Sequence, residues 1–343
     1  MPTITQIEQT LLAAAANEDM ALISATISNL TATQKSEIPS SIFGTVVESI
    51  SNYTTTNPTL CASTMLTFMK DVGVYTDTGS LGMALTDLSY NGNSTAVSYI
   101  VDNVTAGQAA NIGPALGQTL VSIADYASGW NEGTGGSATV AQQAAATAEI
   151  KDFMTHVGVD TDTYSISNAV SNLAYNSNVD ALDNIFSNLT SAQRSNLALP
   201  TTLGDGKDLV VGTVGNDAVH GNATHGSAIF GGAGNDTLVG GAGADILSGG
   251  NGKDTFVFNN LTHHDTVADF STKQGDVLDL HDVLHFNSAV SITKFVEFTT
   301  SGSNTIVSVS ASGTGTNWVE AAQLDGVTGL SVTSLYANHE IIA

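Results

Sequence analysis

The sequence predicts a multidomain α + β chain: an N-terminal α-helical repeat domain, either a bundle or a short solenoid, and a C-terminal parallel β-roll with a β-rich tail. Residues 1–200 repeat a helix-start motif three times, with apolar residues at helical spacing in each copy. Residues 203–257 repeat a glycine-rich unit of about nine residues. The last three residues of each unit have an apolar residue in the middle, a pattern that suits a short strand. Residues 258–343 are expected to close the roll and form the tail.

Three segments of the helical domain share the motif N-x-T-x-x-Q, followed by an apolar residue and then a proline. They are Ile27–Pro39, Val101–Pro114 and Phe186–Pro200. The threonine and glutamine have the spacing of a capping box, in which each side chain pairs with the other residue's backbone at a helix start. The pairs are Thr31/Gln34, Thr105/Gln108 and Thr190/Gln193. The motif therefore predicts three copies of one helical unit, at about 1–58, 59–127 and 139–200.

A second repeated stretch supports this period. It reads TFMKDVGVYTDT at Thr67–Thr78 and DFMTHVGVDTDT at Asp152–Thr163, and the loop Ser128–Ala138 is expected to separate two of the copies. The asparagines twelve residues before each motif's own asparagine suit a left-handed helix stop; they are Asn17, Asn91 and Asn176. The N-x-T tripeptides are also glycosylation sequons, but their place at helix starts favours capping.

Three nine-residue units stand back to back in Gly231–Val257, each of the form G-G-x-G-x-D-x-U-x with a large apolar residue at U. The glycines permit tight turns that bring carbonyl oxygens together, and the aspartate adds an anionic oxygen. Calcium takes about six to eight oxygens, more than one unit supplies, so we expect Ca²⁺ between stacked turns. The candidate ligands in these units are Gly231, Ala233, Gly234, Asp236, Gly240, Ala242, Gly243, Asp245, Gly249, Asn251, Gly252 and Asp254.

The nine-residue pattern continues upstream of Gly231, but fewer of its positions are kept there. Residues 203–211 and 212–220 keep an aspartate, Asp208 and Asp217, whereas 221–230 has none. In a β-roll two units make one coil, so units two apart share a face. The first face is predicted to carry Asp217, Asp236 and Asp254, and the second face Asp208, the degenerate unit near Gly226, and Asp245. We expect the better calcium sites on the first face, at 217/236 and 236/254, and a gapped second face.

The composition of the chain limits the classes of partner that it can bind. The 343 residues include 8 Lys and Arg against 32 Asp and Glu, a formal charge of −24, which repels nucleic acid and anionic lipid but attracts divalent cations. The single cysteine, Cys61, excludes an internal disulfide framework. The start MPTITQIEQ lacks the features of a Sec signal peptide, and no apolar run approaches the roughly 18 residues of a spanning helix. Calcium sites of this kind nevertheless point outside the cell, where calcium is plentiful.

Residues 203–343 resemble the C-terminal part of bacterial RTX (repeat-in-toxin) proteins exported by type I secretion. Asp265–Phe270 and Gly275–Leu284 are similar to that family's roll-closing segment, and Trp318–Ala343 to its secretion target. The resemblance implies a secreted protein, the type I exporter as a partner, and a last calcium site completed by Asp265, Asp269 and Asp276. This module occurs in proteases, lipases, toxins, adhesins and surface-layer proteins alike, so the resemblance implies no single function.

Stacked carboxylates repel one another, so the roll is expected to stay unfolded where calcium is scarce and to fold as ions bind. A search for catalytic motifs finds little. His281–His285 has the spacing of a zinc-protease helix but an aspartate where glutamate is needed, and Thr78–Gly82 lacks the first glycine of a lipase motif. The sequence therefore predicts no enzymatic activity.

These features predict a secreted, calcium-dependent structural protein of the bacterial cell surface or biofilm matrix that self-assembles through its helical copies. A surface layer, a filament and an adhesin all fit, with copies of the chain itself as the main partner. Two alternatives stay open: a secreted hydrolase with an unrecognised active site, and an adhesion module that binds cell-surface glycan.

Overall fold

The computed structural model describes residues 2–128 and 140–343, so the predicted loop at Ser128–Ala138 lies, beyond its first residue, outside the described residues. The chain forms two compact units, Met1–Leu173 and Ala174–Ala343. The division falls inside the third helical copy and not at residue 200.

The first unit is α-helical. Its helices are α1 (Ile4–Ala16), α2 (Met20–Ser28), α3 (Ala32–Glu37), α4 (Ser40–Asn52), α5 (Pro58–Asp71), α6 (Thr78–Tyr90), α7 (Ser94–Val101), α8 (Ala106–Asn111), α9 (Gly113–Ser128), α10 (Val140–His156) and the greater part of α11 (Thr163–Tyr175). No helix among the described residues is both long and apolar enough to cross a bilayer.

Helix bounds recur at fixed shifts along the chain. A shift of 74 residues carries α1 onto α6 and α3 onto α8, and a shift of 85 residues carries α6 onto α11. Each copy packs on the next through equivalent helices, α2 on α5 and α7 on α10. Apolar residues at helical spacing form the core; Ile23, Ile27 and Val97 are at most 1% exposed.

All three predicted capping boxes are present. Thr31, Thr105 and Thr190 each accept a hydrogen bond from the backbone N–H of the glutamine three residues later, whose side chain accepts one from the threonine N–H. Among the described residues, Thr3 and Gln6 form another at the start of α1. The motif thus fixes where these helices begin.

The predicted asparagine helix stops are wrong by one residue. Asn17 and Asn91 have φ of −106° and −88°, and the left-handed residues are their successors, Glu18 (φ 53°) and Gly92 (φ 66°). The asparagines instead cap the helix with their side chains, since Nδ2 of each donates to the carbonyl four residues back, at 2.7 Å. Ser177 takes the same left-handed place after Asn176.

The second unit begins with helices and continues as a β-roll. Its elements after α11 are α12 (Val179–Phe186), α13 (Ser191–Asn196), β1 (Asp208–Val211), β2 (Ala218–His220), β3 (Ser227–Ala233), β4 (Thr237–Val239), β5 (Ile246–Asn251), β6 (Thr255–Val257), β7 (Asp265–Val267), β8 (Val277–Asp279), β9 (Val296–Ser301), β10 (Asn304–Val309), β11 (Val319–Leu324), α14 (Val332–Ala337) and β12 (Ile341–Ile342).

Two sheets enclose the core of the roll. Their strand orders are β1-β3-β5-β7-β11-β10-β9 and β12-β8-β6-β4-β2, with parallel pairing from β1 to β7 and from β2 to β8. The apolar residue of each unit points inward, and Ile229, Leu238, Leu247 and Phe256 are fully buried. Strands β9–β11 add the antiparallel, β-rich tail.

The roll extends beyond its predicted end at residue 257. Strands β7 and β8 keep the parallel pairing although longer loops precede them, so the nine-residue period disappears while the coil continues to Asp279.

Contacts with the roll explain why the end of the helical repeat belongs to the second unit. Helix α12 packs on β3 and β5, and the rings of Phe186 and Phe230 lie 5.1 Å apart, edge to face. Arg194 on α13 donates from Nε to the Gly212 carbonyl and from its guanidinium to the Val211 carbonyl, both at 2.6 Å. The predicted boundary at 200 therefore separates elements that fold together.

Candidate metal site in the roll

Two glycines of each unit are required by backbone geometry. In the first unit Gly232 and Gly234 have φ of 105° and 128°, in the left-handed region that side chains disfavour. The following units repeat this at Gly241, Gly243, Gly250 and Gly252. The predicted carbonyl ligands Ala233, Ala242 and Asn251 each stand between two such glycines; Ala233 and Asn251 are the last residues of β3 and β5.

The first glycine of each unit is required by the carboxylate. A Cβ added to Gly231 would collide with Asp236 Oδ2, and the same holds for Gly240 with Asp245 and for Gly249 with Asp254. The aspartate side chain therefore folds back over its own turn, into space that only glycine leaves open.

On the first face the aspartates form an unbroken series. The backbone N–H of Asp217 donates to Asp236 Oδ1 at 2.8 Å, that of Asp236 to Asp254 Oδ1 at 2.8 Å, and that of Asp254 to Asp276 Oδ1 at 3.0 Å. Asp236, Asp254 and Asp276 thus use Oδ1 to bind the preceding coil. At the two ends of the series Oδ2 is also occupied: that of Asp217 accepts from the N–H and Oγ1 of Thr213 at 2.6 and 2.7 Å, and that of Asp276 accepts from the Ser271 N–H at 2.8 Å. Oδ2 of Asp236 and of Asp254 remains for another partner.

The second face is interrupted as the sequence predicted. Its order is Asp208, Ser227, Asp245 and Asp265, and the N–H of Ser227 and of Asp245 each donates to Oδ1 of the next residue in this series. With Ser227 in place of an aspartate, Asp208 is held by protein groups: Asn222 Nδ2 donates to Oδ2 at 2.7 Å, and His225 Nε2 lies 3.1 Å from Oδ1.

Three carboxylate oxygens in the roll are buried without a hydrogen-bond partner among the described residues. They are Oδ2 of Asp236, Asp245 and Asp254, and these residues are at most 1% exposed. A buried, unpaired anionic oxygen is costly unless a cation accompanies it. The orphaned oxygens, beside turns rich in carbonyl groups, fit the oxygen-only donor set that Ca²⁺ requires.

The electrostatics agree with this assignment. Burial, with smaller contributions from neighbouring aspartates, raises the pKa of Asp254 and of Asp265 to about 7. Burial also raises the pKa of Asp236, Asp245 and Asp276. A bound divalent cation would stabilise the ionised forms that this environment disfavours.

The last calcium site implied by the RTX resemblance is divided in the structure. Asp276 ends the first face and Asp265 the second, so the two carboxylates belong to different series. Asp269 accepts from the N–H groups of Gly249 and Gly250, at 3.0 and 2.6 Å. Burial first, and then the charge of Asp183, raises the pKa of Asp269 to about 8.

Asp183 is a functional candidate that the sequence analysis missed. It lies on α12, accepts a 2.6 Å hydrogen bond from Ser248 at the end of the second nine-residue unit, and its charge raises the pKa of both Asp254 and Asp269. The repeat contains a signal for it: the other copies have Ser24 and Ser98 at the equivalent position. Only the copy that faces the roll has a carboxylate there.

The histidine pair does not form a helical zinc motif. His281 lies on a single 3₁₀ turn, His281–Val283, and His285 follows it outside any helix. Both side chains are exposed.

A protein-family model, the RTX calcium-binding nonapeptide repeat in 4 copies, matches residues 202–224 and 228–258. The chain carries RTX repeats. The RTX repeat family binds Ca²⁺, its repeats are structural modules, and they are typical of secreted proteins.

Among solved structures, the chain is similar to the solution structure of the AlgE6R3 subunit from the Azotobacter vinelandii mannuronan C5-epimerase. The two are 28% identical over 34% of this chain and 74% of that chain, with a TM-score of 0.23. No curated protein sequence matches this chain.

Proposed function

We propose that the protein is a secreted structural component of the bacterial cell surface or extracellular matrix that self-assembles in the presence of calcium. Export by a type I system follows from the RTX-like tail. The observation that carries self-assembly is a set of large apolar side chains exposed at equivalent positions of the helical copies.

Two pairs of residues, each 85 positions apart, are exposed. Val74 and Val159 are 54% and 63% exposed, and Tyr90 and Tyr175 are 51% and 73% exposed. Single exposed apolar residues are ordinary in globular proteins. The same apolar residue exposed twice at one position of a repeat is better explained as a contact used by both the second and the third copy, because exposed apolar surface favours association.

Calcium dependence follows from charge. Chains that each carry a formal charge of −24 repel one another at low ionic strength. Calcium bound by the roll lowers this charge and orders the second unit, so assembly is expected only when the roll is loaded.

Electron microscopy of the full chain in millimolar calcium and in chelator tests the proposal. Ordered sheets or fibres are expected in calcium, and dispersed particles in chelator. The variant V74S/Y90S/V159S/Y175S should remain dispersed in calcium, whereas Val290→Ser, at an exposed position of the tail, should assemble normally. A wild-type chain that stays monomeric in calcium would contradict the proposal.

The same preparation separates the two alternatives. Turnover of ester, peptide or glycosidic substrates by unassembled protein would favour a hydrolase. Calcium-dependent binding to a glycan array without polymerisation would favour an adhesion module.

A further inference from the structure

A second group of metal-ligand side chains lies in the helical unit, away from the roll sequence. Asp102 follows α7, and Asp152 and His156 lie on the last two turns of α10; one ligand atom from each lies within 4.8 Å of the others. His156 Nδ1 is 3.3 Å from Asp102 Oδ1 and 3.2 Å from Asp152 Oδ1. Ligand atoms about 2.1 Å from a tetrahedral ion are about 3.4 Å apart, so this spacing suits a shared ion.

The protein's own hydrogen bonds leave this group incompletely paired. His156 Nδ1 also lies 2.9 Å from the Asp152 carbonyl oxygen, which gives one ring nitrogen three oxygen neighbours. A single N–H group donates well to only one of them. Asp152 Oδ2 is buried with no hydrogen-bond partner among the described residues.

Glu149 extends the group by one turn of α10, on the same face as Asp152 and His156. It is 5% exposed, and its Oε1 has no hydrogen-bond partner among the described residues. Burial, followed by the charge of Asp152, raises the pKa of Glu149 to about 8, so the two carboxyl groups lie within electrostatic reach.

Among the described residues, five buried carboxylate oxygens have no hydrogen-bond partner. Three are the calcium-ligand candidates of the roll, Oδ2 of Asp236, Asp245 and Asp254, and the other two are Glu149 Oε1 and Asp152 Oδ2. The property that identifies the calcium sites therefore also identifies this group.

The junction between the first and second copies, where α2 packs on α5, provides an internal comparison. Shifts of 74 and 85 residues place Asp102, Glu149, Asp152 and His156 on Ser28, Thr64, Thr67 and Asp71. There Ser28 Oγ donates to Asp71 Oδ2 at 3.3 Å, and Lys35 Nζ lies 3.6 Å from Asp71 Oδ1. The equivalent group thus has one carboxylate and its own cation.

The junction between the second and third copies lacks that cation and has more carboxyl groups. Ala109 occupies the position of Lys35, and acidic residues stand where the first junction has Ser28, Thr64 and Thr67. One lysine is lost, three carboxyl groups are gained and Asp71 is replaced by a histidine, which leaves a negative site that His156 alone does not balance. A cation from solution would balance it.

We propose that Asp102, Asp152 and His156, with the buried carboxyl group of Glu149 one turn away on α10, form a binding site for one divalent transition-metal ion such as Zn²⁺. The donor set selects this class, because imidazole nitrogen together with carboxylate oxygen suits Zn²⁺, whereas Ca²⁺ takes oxygen ligands only. The ion would cross-link the end of α7 to α10, which the contact of His156 with Asp102 already joins. This site is separate from the calcium sites in both position and chemistry.

The test is titration of the full chain with Zn²⁺ by calorimetry, in calcium sufficient to fill the roll. We expect one ion per chain at this site, and a visible absorption band of a nitrogen- and oxygen-ligated ion when Co²⁺ replaces Zn²⁺. The variants Asp102→Ser, Asp152→Thr and His156→Asp introduce the residues found at the junction of the first and second copies, so each should fold. Each should weaken Zn²⁺ binding at least about tenfold, since even outer-shell partners of a metal contribute that much.

A matched control removes exposed histidines elsewhere. The double variant H281A/H285A should keep both the affinity and the cobalt band. Absence of Zn²⁺ binding to the calcium-loaded chain would overturn the proposal, as would binding that survives His156→Asp but is lost in H281A/H285A. A third result would also overturn the proposal: Asp102→Ser lowers the melting temperature, but Zn²⁺ does not raise that of the wild-type chain. His156 would then form only an ion pair with the aspartates.

Discussion

The helical unit and the roll differ in how their buried polar groups are paired. In the helical unit Asn93 Nδ2 donates to Thr54 Oγ1 at 2.7 Å, and Gln108 Nε2 donates to the carbonyls of Gly73 and Thr76 at 3.0 and 3.2 Å. In the roll Asp236, Asp245 and Asp254 bury an oxygen that no described group satisfies. Asn93 and Gln108 are paired within the chain, whereas the carboxylates of the roll, like Glu149 and Asp152 of the helical unit, leave a buried oxygen for an ion.

This difference predicts that the helical unit folds without calcium, whereas the roll needs calcium to fold. Apolar cores and capping boxes stabilise the helical copies at any calcium concentration. The roll gains stability from bound calcium by mass action, by about 2.7 kcal/mol for each site at a hundredfold excess of calcium over Kd.

The largest expected effect is therefore that of chelation. Without calcium, backbone amides in residues 208–279 should exchange hydrogen rapidly, while amides of α1–α9 stay protected. Hydrogen exchange of the full chain, read peptide by peptide by mass spectrometry, measures both at once. Protection of the roll in excess chelator would remove the distinction between the units.

The next effect compares the two faces of the roll. Asp236 lies in the middle of the unbroken first face, between Asp217 and Asp254, whereas Asp208 is already held by Asn222 and His225. Asp236→Ala should lower calcium affinity at least about tenfold, because even outer-shell partners contribute that much. Asp208→Ala should change it far less.

Calcium titration followed by calorimetry measures this pair of variants. Equal losses would show that the faces bind alike, and an unchanged stoichiometry and affinity for Asp236→Ala would exclude that carboxylate as a ligand.

A smaller effect is the pH dependence of the roll. Burial raises the folded-state pKa of Asp254 and Asp265 to about 7 and that of Asp269 to about 8, so the folded roll binds protons more tightly than the unfolded chain. In chelator its stability should be complete below about pH 4, the usual aspartate pKa, and should fall as pH rises through 7–8. In calcium the trend should reverse, because the ion binds the deprotonated carboxylates.

Hydrogen exchange at pH 5 and pH 8, corrected for the intrinsic rate, measures this reversal. A roll that is equally protected at both pH values in chelator would show that folding does not raise the pKa of its carboxylates.

The roll's turns and the helix starts could be predicted from sequence because each depends on local geometry. A glycine at φ 105°, such as Gly232, or a threonine three residues before a glutamine, such as Thr31, determines its structure within a few residues. The two faces followed from period alone, since aspartates two units apart must stack in a coil.

The remaining site residues depend on tertiary contacts, which local sequence patterns do not show. Asp183 joins the acidic face only because α12 packs on β3 and β5, and no local pattern contains that packing. Similarly, the group at Asp102 and His156 joins residues 54 positions apart, through the packing of α7 on α10. In both cases the available signal was the departure of one copy from the others, a carboxylate where its counterparts have serine.

The smallest predicted effect concerns two equivalent capping glutamines. Gln34 and Gln108 both complete a capping box, but of these two side chains Gln108 alone donates to carbonyls between α5 and α6, those of Gly73 and Thr76. Replacing Gln108 by alanine should therefore lower the free energy of unfolding by about 1 kcal/mol more than replacing Gln34, the usual net value of a buried hydrogen bond. Urea denaturation in calcium, followed by circular dichroism at a helix-sensitive wavelength, compares the two. Equal losses would mean that the glutamine acts only as a cap and that copies are held together by apolar contacts alone.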